Sequence, residues 1–151
     1  LRILSPKPRH IEDLTGLSQD FAGETEWAST IPIGRVGSKE EAASRLFGPE
    51  VLMARVAETE SGEMIGYFGV YRHPEAVHMS ILVKAGYRRS GVGKQLVEAA
   101  FREIPEGLEV EAWVGAFNEA SLSAVPRLGF DLTWVIEDRG RTVYVFTWKS
   151  G

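Results

Sequence analysis

Apolar positions along this chain change period several times, and each change predicts an element. Over residues 8–21, Ile11, Leu14, Leu17, Ser18 and Phe21 fall on one side at spacings of three and four, which predicts a helix. Residues 2–4 read as a short strand before it, closed by Ser5-Pro6. Residues 22–38 have little period and hold Gly23, Pro32, Gly34 and Gly37; connections of this length in compact domains are often functional. Ser38, with Glu41 three residues on, has capping-box spacing and predicts a second helix that stops at Gly48-Pro49. Residues 51–59 and 64–71 are strand-like around the hairpin turn Glu60-Ser61-Gly62-Glu63, and residues 77–83 make a third long strand. Residues 91–104 read as an amphipathic helix. Val92, Leu96, Ala99 and Ala100 face inward, extended by Val97, Phe101 and Ile104. A strand at 108–114, a short helix at 118–128 and strands at 131–137 and 142–148 complete the order β-α-α-β-β-β-α-β-α-β-β. Helices mixed with hairpins predict an α/β fold with a mixed sheet. Tyr144, Phe146 and Trp148 share one face of the last strand. That face reads either as an edge strand pairing across a dimer interface or as core against the second helix.

Composition narrows the class. A chain of 151 residues with 44% hydrophobic residues is read as a single domain, 1–151, with room for a core. No apolar run approaches the roughly 20 residues of a membrane span, and the start lacks a signal-peptide core, so no membrane partner is expected. The chain opens on Leu1, which leaves open whether it is part of something longer. It has no cysteine, which excludes disulfides, cysteine-based zinc sites and a cysteine nucleophile, and fits a cytoplasmic protein. His10, His73 and His78 show no close metal-ligand spacing, so no metal is expected. A net charge of −4 argues against nucleic acid, while the basic cluster Lys84, Arg88, Arg89 and Lys94 favours a small anion.

That cluster lies where the third long strand turns into the amphipathic helix. Such a turn aims free backbone N–H groups and the positive end of a helix dipole at one point, suited to a pyrophosphate. Three phosphate-loop patterns compete with an ordinary strand-to-helix turn. Gly86 and Gly91 have the P-loop gap, but Val92 and Gly93 follow where Lys and Ser or Thr belong. Gly91-Val92-Gly93 begins a dinucleotide fingerprint, but Leu96 stands at its third glycine. The third pattern is Arg88-x-x-Gly91-x-Gly93, followed by Lys94.

This third pattern resembles the acyl-coenzyme A pyrophosphate loop of the GNAT N-acetyltransferase superfamily, R/Q-x-x-G-x-G/A. The element order is similar to that family's, and a second local match follows. Asn118 opens a short helix that ends Val125-Pro126-Arg127-Leu128-Gly129-Phe130, where the family commonly has Y-x-x-x-G-F. Asn118, Ser121, Leu128, Gly129 and Phe130 fit. The resemblance covers nearly the whole chain and implies a GNAT-like acyl-CoA N-acyltransferase fold. It implies acetyl-CoA as acyl-donor cosubstrate, its pyrophosphate held by Arg88, Arg89, Ser90, Gly91, Val92, Gly93 and Lys94. The pantetheine arm is expected along the backbone of Ile81, Leu82 and Val83, with Asn118 and Ser121 on the opposite wall. For Asn118, a plain helix cap is an equal reading. Dimers are common in the family, so a homodimer is a further expectation.

The proton chemistry is less conventional. The position that often holds the family's acidic Tyr is Val125, Pro126 is expected to kink or end the helix, and Trp113 stands where some members hold a catalytic Glu. His78 lies close to where other members carry Glu or His, and an imidazole suits a general base. Glu24 and Glu26 are candidates for binding or deprotonating a cationic amine, with Trp27 as a pocket wall. Each of these residues also has a plain reading as a strand histidine, solvated loop acids or a core aromatic; Tyr87 reads mainly as packing. The expected function is N-acetylation of a primary amine of a small molecule by direct transfer in a ternary complex. Acetylation of protein N-termini or lysines, and a non-catalytic acyl-CoA-binding module, stay open beside it.

Overall fold

The computed structural model describes residues 1–19, 36–74, 76–138 and 140–149. Strand β1 (Arg2–Leu4) leads through helix α1 (His10–Gln19) to α2 (Lys39–Phe47). There follow β2 (Val51–Glu58), β3 (Met64–His73), β4 (Ala76–Val83), α3 (Val92–Phe101), β5 (Glu109–Gly115), α4 (Glu119–Arg127), β6 (Asp131–Asp138) and β7 (Arg141–Lys149). The element order expected from the sequence is the observed one. The strands form one seven-stranded sheet in the order β1-β2-β3-β4-β5-β7-β6. Every neighbouring pair is antiparallel except β4 and β5, which are parallel. Among the described residues no helix is long and apolar enough to cross a membrane.

Strand alternation sends the two faces of the sheet into two cores. On one face Phe68, Val70, Met79, Val110, Ala112 and Phe146 pack with Val92, Leu96, Val97 and Ala100 of α3 and Val125 of α4. On the other, Val56, Tyr67 and Tyr71 pack with Leu14 and Leu17 of α1 and Ala42 and Leu46 of α2.

The N-terminal elements are pinned by a buried carboxylate. Glu58, at the end of β2, accepts from Arg2 at 3.1 Å, pairs with Arg9, and accepts from His10 Nε2 at 2.6 Å. The Lys7 backbone N–H donates to His10 Nδ1 at 2.8 Å, which leaves the ring proton on Nε2. The Arg9 guanidinium, helped by His10, outweighs burial and holds the Glu58 carboxyl at about 2.

Several sequence expectations change in detail. Helix α1 begins at His10 rather than residue 8, because Lys7 to Arg9 form the turn that His10 closes. Ser38 caps α2 by accepting from the Glu41 N–H at 3.1 Å, but Glu41 reaches back to the Gly37 N–H, not to that of Ser38. Helix α3 ends at Phe101, and its inward residues are Val92, Leu96, Val97 and Ala100, with Ala99 only half-buried. Pro126 does not break α4, because it lies in the last turn and the helix continues to Arg127. Strand β7 is interior, between β5 and β6, so it is not an edge strand. Its aromatic face packs on α3, not α2, and Trp148 stacks on Phe101 at 3.8 Å.

Candidate active site

Two strands that start together and then part create the site. The β4–β5 ladder consists of Val77 opposite Val110 and His78 opposite Glu111. Beyond those pairs β4 stays with β3 through Val83, while β5 stays with β7 through Gly115. The strands therefore separate toward their carboxyl ends, and among the described residues no strand pairs with that edge of β4 beyond His78. The Lys84 N–H donates to the Ile65 carbonyl at 2.8 Å, which fixes the alternation. Even-numbered backbone groups of β4 turn to β3, and those of Met79, Ile81 and Val83 turn to the gap. The Arg88 Nε bond to the Val83 carbonyl, at 3.0 Å, agrees. Of the three residues expected to pair with a pantetheine arm, Ile81 and Val83 present their backbone to the gap. Leu82 does not: its backbone turns to β3 and its side chain packs against the α1–α2 core.

Helix N-termini open at both sides of the mouth, outside the carboxyl ends of the strands, where ligands of α/β sheets collect. On the β4 side the chain turns through Arg89 (φ 65°) and Gly91 (φ 87°), both left-handed. Gly91 is the N-cap of α3 and supplies no side-chain cap. The first intrahelical bond runs from the Gln95 N–H to the Gly91 carbonyl at 3.0 Å, so the N–H groups of Val92, Gly93 and Lys94 are the first-turn donors. Left-handed residues beside a helix start make a concave, anion-accepting nest. Arg88, Arg89, Ser90 and Lys94 are exposed around it; the Ser90 hydroxyl donates to the Tyr87 carbonyl, and Tyr87 packs against the core. On the β5 side Asn118 Oδ1 accepts from the Ser121 N–H at 3.1 Å and caps α4. Val125, on the buried side of α4, cannot donate a proton.

The closed end of the gap carries the titratable groups. His78 is only 3% exposed, on the α1–α2 face of β4. Glu111 and Trp113 share that face of β5, and the Trp113 indole donates to Glu111 Oε1 at 2.9 Å. The His78 ring meets Trp113 edge-on at 5.6 Å and the exposed His73, from β3, at 5.0 Å. Burial pushes the His78 imidazole below its ordinary value; the Glu111 carboxylate opposes this and His73 adds to it. Among the described residues neither His78 ring nitrogen has a hydrogen-bond partner. A neutral imidazole beside a carboxylate can take a proton.

Sequence reasoning named His78 and missed Glu111 and His73. The signal for Glu111 was a charge alternating with Trp113 in an otherwise apolar strand, two residues before the position checked for a carboxylate. Glu24, Glu26 and Trp27 lie outside the described residues.

Comparison with known proteins agrees with this architecture. The family described as "Acetyltransferase (GNAT) family" matches residues 21–130. A GNAT superfamily phosphinothricin acetyltransferase from Sinorhizobium meliloti, in complex with AcCoA, superposes with a TM-score of 0.73 at 20% identity, over 99% of this chain and 88% of that one. A mutant of the spermidine N-acetyltransferase SpeG from Vibrio cholerae gives 0.72 at 11%, over 99% and 95%. At these identities the likeness is one of fold. A rice protein (Oryza sativa subsp. japonica) described as probable protein phosphatase 2C 69 is 27% identical over 129 residues; these cover 79% of this chain, which spans 31% of that relative's length. With the family's match over most of its length, and the gap, the open helix start and the element order agreeing with it, the chain belongs to the GNAT acetyltransferase family.

Proposed function

We propose that the protein transfers an acetyl group from acetyl-CoA to a primary amine of a small molecule, by direct attack within a ternary complex. The observation that carries this reading is the continuity of the gap, from the open start of α3 along the freed edge of β4 to His78 and Glu111. From Val83 to His78 the strand runs about five steps of roughly 3.3 Å, or ~17 Å, a length for an extended arm rather than a compact ligand. Acetyl-CoA, a GNAT cosubstrate, supplies an activated thioester. The N–H groups of Val92, Gly93 and Lys94 hold its pyrophosphate, with Arg89 and Lys94 adding charge. Ile81 and the Val83 N–H pair with the amide-bearing arm, and an N–H of the β4 edge polarises the thioester carbonyl. His78 accepts the proton that the attacking amine must lose, and Glu111 stabilises the imidazolium. Most of the rate comes from holding amine and thioester together.

The small-amine reading is supported by the acidic balance of the chain, with a net charge of −4, and by the names of two structural neighbours, a phosphinothricin and a spermidine acetyltransferase. Glu24, Glu26 and Trp27 are the proposed acceptor contacts. The test is a thermal-shift titration with acetyl-CoA beside ATP and NAD, then an amine panel read by thiol release. A midpoint raised by acetyl-CoA alone, followed by turnover of an amine, is expected. Binding without turnover of any amine would leave an acyl-CoA-binding module, and no binding would overturn the reading.

A further inference from the structure

Acetylation of an amine that arrives protonated releases a proton that the site must discard. The ammonium nitrogen loses two protons as the N–C bond forms and the C–S bond breaks. One ends on the sulfur and the other goes to bulk water. His78, the proposed base, is 3% exposed and poorly placed to return a proton to solvent. Its ring is nevertheless in contact with a second imidazole that is exposed. His73 ends β3, lies on the same sheet face as Tyr71 and His78, and packs edge-on against the His78 ring at 5.0 Å.

We propose that His73 is the proton exit of the site, taking the proton from His78 by ring rotation or through one water and delivering it to solvent. This rests on the reading of His78 as the base. His73 touches no reacting atom in this scheme, so it is a positioning and relay residue. Among the described residues, the titratable groups that face His78 are His73 and Tyr71 from β3 and Glu111 from β5. Tyr71 is buried and held neutral, so the charge balance is set by Glu111 on one side and His73 on the other. Glu111 keeps the proton on the pair, and His73 repels it once charged. That opposition makes transfer outward favourable when His73 has discharged to water.

The experiment uses the whole chain and its three histidines, whose ring resonances are few enough to assign. An NMR pH titration of the wild type should place the His78 midpoint below the ordinary imidazole value. His73→Ala should move the His78 midpoint upward by about half a pH unit at low salt, the scale set by two charges about 5 Å apart in water. With the amine selected by the thiol-release panel, His73→Ala and His73→Gln should lower kcat by about tenfold in dilute buffer, with acetyl-CoA affinity retained. Added imidazole should restore kcat, which a merely structural defect would not allow. An active enzyme whose His78 midpoint and kcat ignore His73→Ala would remove the exit and keep the base. A protein that turns over no amine would remove both.

Discussion

The two glycines of the anion loop look alike in sequence but should respond to alanine with opposite sign. Gly91 sits at φ 87°, ψ 2° as the N-cap of α3, and a Cβ built there meets nothing within 4 Å. Its replacement carries no clash, only the left-handed backbone of an L-residue, which costs about 1–2 kcal/mol. Gly93 lies inside α3, and its Cβ would rest 3.4 Å from Ile81 Cδ1 and 3.8 Å from Val83 Cγ2, at ordinary contact distance. In a helix interior alanine is favoured over glycine by about 0.8–1 kcal/mol, which is the upper bound for Gly93 in the first turn, so Gly93→Ala should stabilise. For a chain of this size about 1 kcal/mol moves Tm by roughly 2–4 °C. Gly91→Ala should lower Tm by at least that much and Gly93→Ala raise it by at most that much. Binding should separate them too. Relaxing Gly91 turns the N–H groups of Val92, Gly93 and Lys94 away from their common point and should weaken acetyl-CoA by about tenfold or more, the scale of one or two charge-assisted hydrogen bonds. The Gly93 Cβ points at the sheet, so Gly93→Ala should keep its affinity, which explains why the family pattern admits alanine there. Urea unfolding and calorimetric titration of both variants measure this. The same sign of stability change in both, or lost binding only in Gly93→Ala, would refute the geometry.

Three further outcomes are expected. The acid limb of kcat/KM should fall below the ordinary imidazole value of about 6.5, because burial disfavours protonated His78; Glu111→Gln should move it to still lower pH, and a limb at or above 6.5 in the wild type would count against His78 as base. Glu58 titrates at about 2 when folded and near 4.5 when unfolded, so its contribution to stability is present above about pH 4.5 and lost as pH falls toward 2; Glu58→Gln should lower Tm at neutral pH and flatten that part of the Tm–pH curve, and parallel curves would show no such linkage. A Cβ on Gly69 would lie 2.2 Å from the Tyr71 hydroxyl and 2.5 Å from that of Tyr67, so Gly69→Ala should cost about 1–3 kcal/mol by denaturant unfolding. Tyr71→Phe, which removes a buried hydroxyl without a partner among the described residues, should be neutral or stabilising and should relieve part of that cost; a substantial loss from Tyr71→Phe alone would mean the hydroxyl is engaged.

Short-range patterns determined much of this protein in the sequence itself. The element order, the Ser38 cap, the turn between β2 and β3, and the glycine-bearing turn at the start of α3 all depend on residues within a few positions of one another. Local backbone preference and apolar period are enough to read them. Tertiary structure decided what depends on pairing between distant segments. That β7 is interior, that Leu82 faces β3 while Ile81 and Val83 face the gap, and that β4 and β5 part just beyond His78 and Glu111 are consequences of register. A shift of one residue in register turns every side chain to the other face, and no local signal sets it. His73, His78 and Glu111 come from three different strands, and their meeting is a property of the sheet. For the same reason Trp113 and Glu111 share a face of β5 that alternation makes legible, but which of them stands opposite His78 is fixed only by where the two strands touch.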